Sequence, residues 1–174
     1  MGIRIKTDRF EDLPVWRAAI EMSVYVYTLT AKKEFRSKAS LRNQIERATI
    51  SISNNIAEGF ERRATQELLT FIHAARGSAG ELRSMLCLLE RFPEFSNLNS
   101  QISDLKSLAE GISGQLRAWA DSLQNPSIKG QRYPTGKARH PSCASRERVE
   151  VLQVLRRIQE EDIARSRSFS RRNE

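Results

Sequence analysis

Residues 41–60, Leu41 to Phe60, read LRNQIERATISISNNIAEGF. Leu41, Ile45, Ala48, Ile52, Ile56 and Phe60 recur at spacings of three and four, the period of one buried helix face. A second row runs beside them: Gln44, Arg47, Ser51, Asn55, Glu58 and Arg62. A solvated helix face normally carries Lys, Glu and Ala. Ser and Asn are poor mid-helix choices, because their side chains compete for backbone hydrogen bonds. The adjacent pair Asn54 and Asn55 raises that local cost, so the row calls for a partner outside the helix.

A candidate partner follows closely. Residues 67–82 read ELLTFIHAARGSAGEL. The two stretches together resemble the bacterial four-helix-bundle family named after proteins encoded in intervening sequences of 23S ribosomal RNA. Its pattern is roughly Q-I-x-R-A-x-x-S-I-x-x-N-I-A-E-G, then E-x-x-x-F-x-x-x-A-x-G-S-x-x-E-L. The first block is matched by Gln44, Ile45, Arg47, Ala48, Ser51, Ile52, Asn55, Ile56, Ala57, Glu58 and Gly59. The second is matched by Glu67, Phe71, Ala75, Gly77, Ser78, Glu81 and Leu82. Upstream, Leu13 to Trp16 resembles the family's opening helix, and Leu123 to Tyr133 its closing turn. Many members carry Pro where Ser53 stands, which places a kink there in question. The resemblance spans about residues 10–133 and implies a bundle, not an activity.

The rest of the chain is read around that core. Of its 174 residues 39% are hydrophobic, with eight Gly and five Pro and no alternating Val/Ile/Thr run, which favours helix over sheet. No apolar run approaches the ~20 residues of a membrane span. The N-terminus lacks the apolar core of a signal peptide, so a cytoplasmic protein is expected. Cys87 and Cys143 then read as free thiols.

Helix one is predicted from Glu11 to about Ala31. Its expected stripe is Leu13, Trp16, Ile20, Val24 and Tyr27, with Asp12 as cap and Pro14 in the first turn. Lys32 to Ser40 is a basic loop anchored by Phe35. Helix two runs from the cap Ser40 to Arg62 or Arg63, with Gly59 a close-approach site or a stop signal. Helix three runs from the cap Thr65 to about Arg91, with the stripe Leu68, Ile72, Ala75, Ala79, Leu82, Leu86 and Leu89. Beside it lie Ala74, Ser78, Glu81, Met85 and Leu88. Gly77 and Gly80 each cost up to ~1 kcal/mol relative to Ala, which suggests that another backbone approaches. Asn97 or Asn99 caps helix four, whose stripe is Ile102, Leu105, Leu108, Ile112, Leu116, Trp119 and Leu123.

Four amphipathic helices with short connections make an all-α, antiparallel up-and-down four-helix bundle over residues 1–125. Residues 126–174 lie beyond the bundle and open with a basic linker, to Ser145, punctuated by Pro126, Gly130, Pro134, Gly136 and Pro141. A short helix is expected next, from Arg146 to about Arg165, with Val151, Val154, Leu155 and Ile158 on one face, and then a flexible Arg/Ser tail.

Catalytic chemistry is hard to place. His73 and His140 have no metal-ligand spacing, the cysteines form no C-x-x-C pair, and no phosphate-binding glycine loop occurs. Glu58 and Glu81 could be paired as general acid and base, but polar residues satisfying each other between helices is the simpler reading. No enzyme, cofactor or metal is expected. Two readings stay open for Ser51, Asn55, Glu58, Ser78 and Glu81: a polar network that sets helix register or a subunit contact, or, for Arg47, Glu58 and Glu81, a solvated face.

The net charge is +8. Residues 125–174 hold 12 Lys+Arg against 6 Asp+Glu. Within the bundle, Lys32, Lys33, Arg36, Lys38, Arg42 and Arg47 cluster, opposed only by Glu34 and Glu46. Such a surface favours the backbone of RNA or DNA, bound with little sequence preference and strong salt dependence. No aromatic RNA-reading motif is present. The resemblance adds further expectations. Similar proteins form ring-like pentamers, which implies a homo-oligomer. The related accessory factor of diversity-generating retroelements binds nucleic acid and partners a reverse transcriptase. The expected protein is a nucleic-acid-binding scaffold. Its rival is a protein–protein adaptor whose basic surface only keeps it soluble.

Overall fold

A computed structural model describes residues 8–62 and 64–124; the expected linker, short helix and tail, with His140 and Cys143, lie outside the described residues. Four helices account for most of them: α1 (Pro14–Thr30), α2 (Ala39–Glu61), α3 (Thr65–Leu89) and α4 (Asn99–Gln124). Short 3₁₀ turns at Phe10–Asp12, Lys33–Phe35 and Pro93–Leu98 precede α1, α2 and α4. No strand occurs among the described residues.

Each helix packs on its neighbours in sequence, and α4 returns to α1. Cross-helix contacts show the antiparallel sense. Ser23 meets Thr49 and Thr30 meets Glu46 between α1 and α2; Glu90 meets Lys106 and Arg83 meets Glu110 between α3 and α4. The chain is therefore an all-α, up-and-down four-helix bundle.

The core follows the expected stripes on three helices. Ile45, Ala48, Ile52, Ile56 and Phe60 of α2 are buried, as are all seven stripe residues of α3. On α4, Ile102 through Trp119 of the stripe are buried and Leu123 is half-buried. The expected stripe of α1 holds only at its start, where Leu13 is buried and Trp16 half-buried. Its buried face is Val15, Ala18, Ala19, Met22, Val26 and Leu29, while Ile20, Val24 and Tyr27 are exposed. The helix has apolar residues on both sides, and only Arg17 and Glu21 among its 17 residues are charged. Two alanines on the inner face carried less weight than bulky residues on the outer one.

The expected caps of α1, α2 and α3 also fail. The N-cap positions of α1, α2 and α3 are Leu13, Lys38 and Ala64, and none makes a side-chain cap hydrogen bond. Asp12 sits in the preceding 3₁₀ turn and pairs with Arg17 at 3.0 Å, while Pro14 does occupy the first turn. Ser40 and Thr65 lie inside their helices, and Asn97 donates to Glu34 at 2.9 Å. α2 runs unbroken through Ser53, whose hydroxyl donates to the Ile50 carbonyl.

One end of the bundle is closed by aromatic rings. Phe35 and Phe95 are buried and stack edge to face with centroids 4.8 Å apart, so the α1–α2 and α3–α4 connections grip each other. Near the other end, Phe10 lies against Trp16 and Phe60.

Three glycines in helices have opposite surroundings. A Cβ on Gly59 would stand 2.7 Å from the Cβ of Phe71 and 3.3 Å from a Leu68 methyl, so α2 and α3 approach too closely there for any side chain. A Cβ on Gly77 or Gly80 would meet nothing within 4 Å among the described residues, so the approaching backbone expected there does not come from the bundle. Gly59→Ala must part the helices, and we expect a loss of about 1–3 kcal/mol despite its better helix propensity. Gly77→Ala should instead stabilise the folded chain by up to ~1 kcal/mol. Denaturant titration of both variants checks the contrast; a Gly59→Ala chain as stable as the Gly77→Ala chain would refute the packing assigned to Gly59.

Candidate nucleic-acid interface and the α2–α3 polar seam

The α1–α2 connection is built from Lys32 to Lys38. Phe35 points inward, and this leaves Lys33 and Arg36 on the outside, both exposed. Lys32 is half-buried. Lys38 is committed elsewhere: its ammonium lies 3.1 Å from Glu94 and 4.7 Å from the centre of the Phe92 ring. It thus ties the basic connection to the 3₁₀ turn before α4. Arg42 lies one turn into α2 beside Glu46, at 3.8 Å, and Glu46 also accepts a 2.7 Å hydrogen bond from the Thr30 hydroxyl. The sequence cluster is therefore split. Arg47 is exposed but lies about 140° around α2 from Arg42, since five residues make nearly one and a half turns. Arg36 and Arg47 have no ion pair among the described residues.

Two acids sit against this connection. Burial pushes the Glu34 carboxyl up, but the Asn97 amide, its own backbone N–H and the charges of Lys33 and Lys32 outweigh it, leaving its pKa below the ordinary value. Glu94 is also lowered, by its own backbone N–H and by Lys38. A carboxyl whose pKa is lower in the folded state stabilises the fold above its unfolded pKa, and that contribution is lost as the pH falls through the folded value. The parent should therefore lose thermal stability more steeply than Glu94→Gln as the pH drops from neutral through 4.5 and below. Parallel melting curves across that window would show that the Lys38–Glu94 contact has no part in it.

The other candidate residues lie along α2 and α3. Asn55 donates to the Ser51 carbonyl at 2.7 Å and to its hydroxyl at 3.0 Å. The Ser51 and Ser78 hydroxyls are 2.9 Å apart, and Ser78 donates to the Ala74 carbonyl at 3.1 Å. One proton order satisfies all of these: Asn55 to Ser51, Ser51 to Ser78, Ser78 to Ala74. The three side chains are half-buried and span the seam just beyond the apolar core. Glu58 is not in this chain of bonds; it is exposed and pairs with Arg62, which also lies over the Phe71 ring. Glu81 is exposed and joins neither group. Glu58 and Glu81 are thus not brought together.

Sequence reasoning missed a second polar seam, between α1 and α2. Thr49 and Thr30 are almost fully buried, at 0% and 1% exposure, and bond Ser23 and Glu46 respectively. Buried Thr is chemically inconspicuous in a sequence, and only the helix pairing reveals its partner.

For the α2–α3 seam, a double-mutant cycle of Ser51→Ala and Ser78→Ala should give a coupling of about 0.5–1.5 kcal/mol, the net worth of one intramolecular hydrogen bond. A coupling indistinguishable from zero by denaturant titration would leave the two hydroxyls as independent surface groups.

Among the described residues, no His/Cys/Asp/Glu group could hold a metal ion, and no helix is long and apolar enough to cross a membrane. Cys87 is an exposed free thiol. Fold and site together define an antiparallel helical-bundle protein with a basic connection at one end. The model of the 23S rRNA-intervening sequence protein family matches residues 11–118, and the chain belongs to that family. A search of curated proteins gives no match.

Proposed function

We propose that this chain is a non-enzymatic, oligomeric scaffold that binds the backbone of RNA or DNA. The observation that supports the reading best is the placement of Lys33 and Arg36. Both are exposed on a short connection that the buried Phe35 anchors to the end of the bundle. Contacts made by preorganised groups cost less entropy than those made by a tail. Membership of the family, together with its likeness to retroelement accessory proteins, favours assembly into a homo-oligomer. A pentamer comes from that likeness alone. It also suggests a cytoplasmic setting and a reverse transcriptase or an rRNA-linked protein as partner. Repeating the basic connection around an assembly turns weak phosphate contacts into avid binding.

A second reading, a protein–protein adaptor without nucleic-acid binding, draws on the exposed apolar residues of α1.

The test is a titration of duplex RNA at two salt concentrations with the parent, a chain ending at Tyr133, and Lys33→Glu/Arg36→Glu. Lys38 is left intact because reversing it would also break its pairing with Glu94. The truncated chain should bind more weakly than the parent. The charge-reversed chain should bind more weakly still, and its dependence on log salt should be shallower by about one for each phosphate it no longer neutralises. No retention of RNA or DNA by the parent at low salt would favour the adaptor. Loss of all binding on truncation alone would move the function to the residues beyond Tyr133.

A further inference from the structure

Four large apolar side chains stand on the outside of α1 and α2. Ile20 is 37% exposed, Val24 60%, Tyr27 44% and Ile50 37%. The first three follow one another at helical spacing along α1. Ser23 bonds Thr49 across the α1–α2 seam, and the next residues, Val24 and Ile50, both turn outward at that level. The patch thus spans two helices. Together the four side chains expose less than half of the ~800 Å² that each partner gives to a stable protein–protein interface, so they form one part of such a contact. Large apolar side chains grouped on one side of a domain are often where it makes a contact.

A second anomaly lies on α3. Gly77 and Gly80 stand in mid-helix, where each costs up to ~1 kcal/mol relative to Ala, yet among the described residues nothing approaches within 4 Å of a Cβ placed there. Ala74 and Leu88, also exposed, extend the same side, and Leu88 is 46% exposed. Inside the bundle α1 and α3 are diagonal: each packs on α2 and on α4. The bulky row and the bare face therefore cannot meet within one chain.

We infer that they meet between chains: the α1 row of one copy, Ile20, Val24 and Tyr27, packs on the small-residue face of α3, Gly77 and Gly80, of the next. This rests on the oligomeric reading above and specifies its contact. Pairing like with like would set bulky rows against each other and leave the glycines bare. Pairing unlike faces fills the bare surface and covers the apolar one. A contact between two different faces is heterologous, so it passes from copy to copy and closes into a ring or extends as the rotation dictates.

The experiment uses the full chain and two single variants, Val24→Glu and Gly77→Glu, read by light scattering and circular dichroism. Both positions are exposed, so both variants should keep the parent's helical content. Each alone should fall from the parent's assembled mass to that of one chain, 19.9 kDa. Mixed in equal amounts well above the concentration at which the parent assembles, they should form pairs of twice that mass. The mixture contains one intact α1 row and one intact α3 face, while the two altered faces repel. If the parent assembles but either variant alone keeps the parent's mass, or the mixture stays at single-chain mass, this pairing is wrong while the oligomeric reading stands. A parent that is itself a single chain at micromolar concentration overturns both.

Discussion

The approach of α2 to α3 at Gly59 constrains the rest of the bundle. With no side chain at that position, Phe71 and Leu68 of α3 press against the α2 backbone. This close approach sets the depth at which the two helices mesh. Along the same seam, the Ser51 and Ser78 hydroxyls meet at 2.9 Å, which is possible only in one register. Apolar packing alone tolerates sliding by a turn, whereas a hydrogen bond between two short side chains does not. The polar row is therefore a register device at the edge of the core. α2 meets α1 on its other side through Thr49 and Glu46, so this one helix aligns both neighbours.

What the sequence disclosed follows from how clearly each helix separates its faces. α2, α3 and α4 carry polar residues on one side and large apolar ones on the other, and their buried faces were legible from spacing. α1 does not separate them. Ala18 and Ala19 occupy its core side, while Ile20, Val24 and Tyr27 occupy its outer side. A period can be found on either face, and bulk points to the wrong one. Asp12, Ser40 and Thr65 look like caps in the sequence, whereas the first turns of α1, α2 and α3 begin at Leu13, Lys38 and Ala64 without side-chain caps. The aromatic grip of Phe35 on Phe95 and the Lys38–Glu94 ion pair orient those connections instead.

The candidate site was legible as a set of charges but not as a surface. Sequence proximity joined Lys38, Arg42 and Arg47 to Lys33 and Arg36. In three dimensions Lys38 closes the bundle end, Arg42 lies beside Glu46 and Arg47 lies on a different side of α2. What remains outward on the connection is smaller and more sharply placed. Glu58 and Glu81 likewise shared a motif without sharing a site, because one pairs within α2 and the other faces solvent. Side-chain commitment of this kind depends on helix pairing, which a single sequence does not encode locally.

The proposed scaffold has two separable parts, a contact that assembles copies and a basic connection that each copy repeats. The most direct measurement is the solution mass of the full chain with and without a short RNA duplex, at low and high salt. The account predicts several chains per particle at both salt levels, and a further gain in mass from RNA at low salt that disappears at high salt. A single-chain mass throughout, or a particle whose mass does not change when RNA is added at low salt, would contradict it.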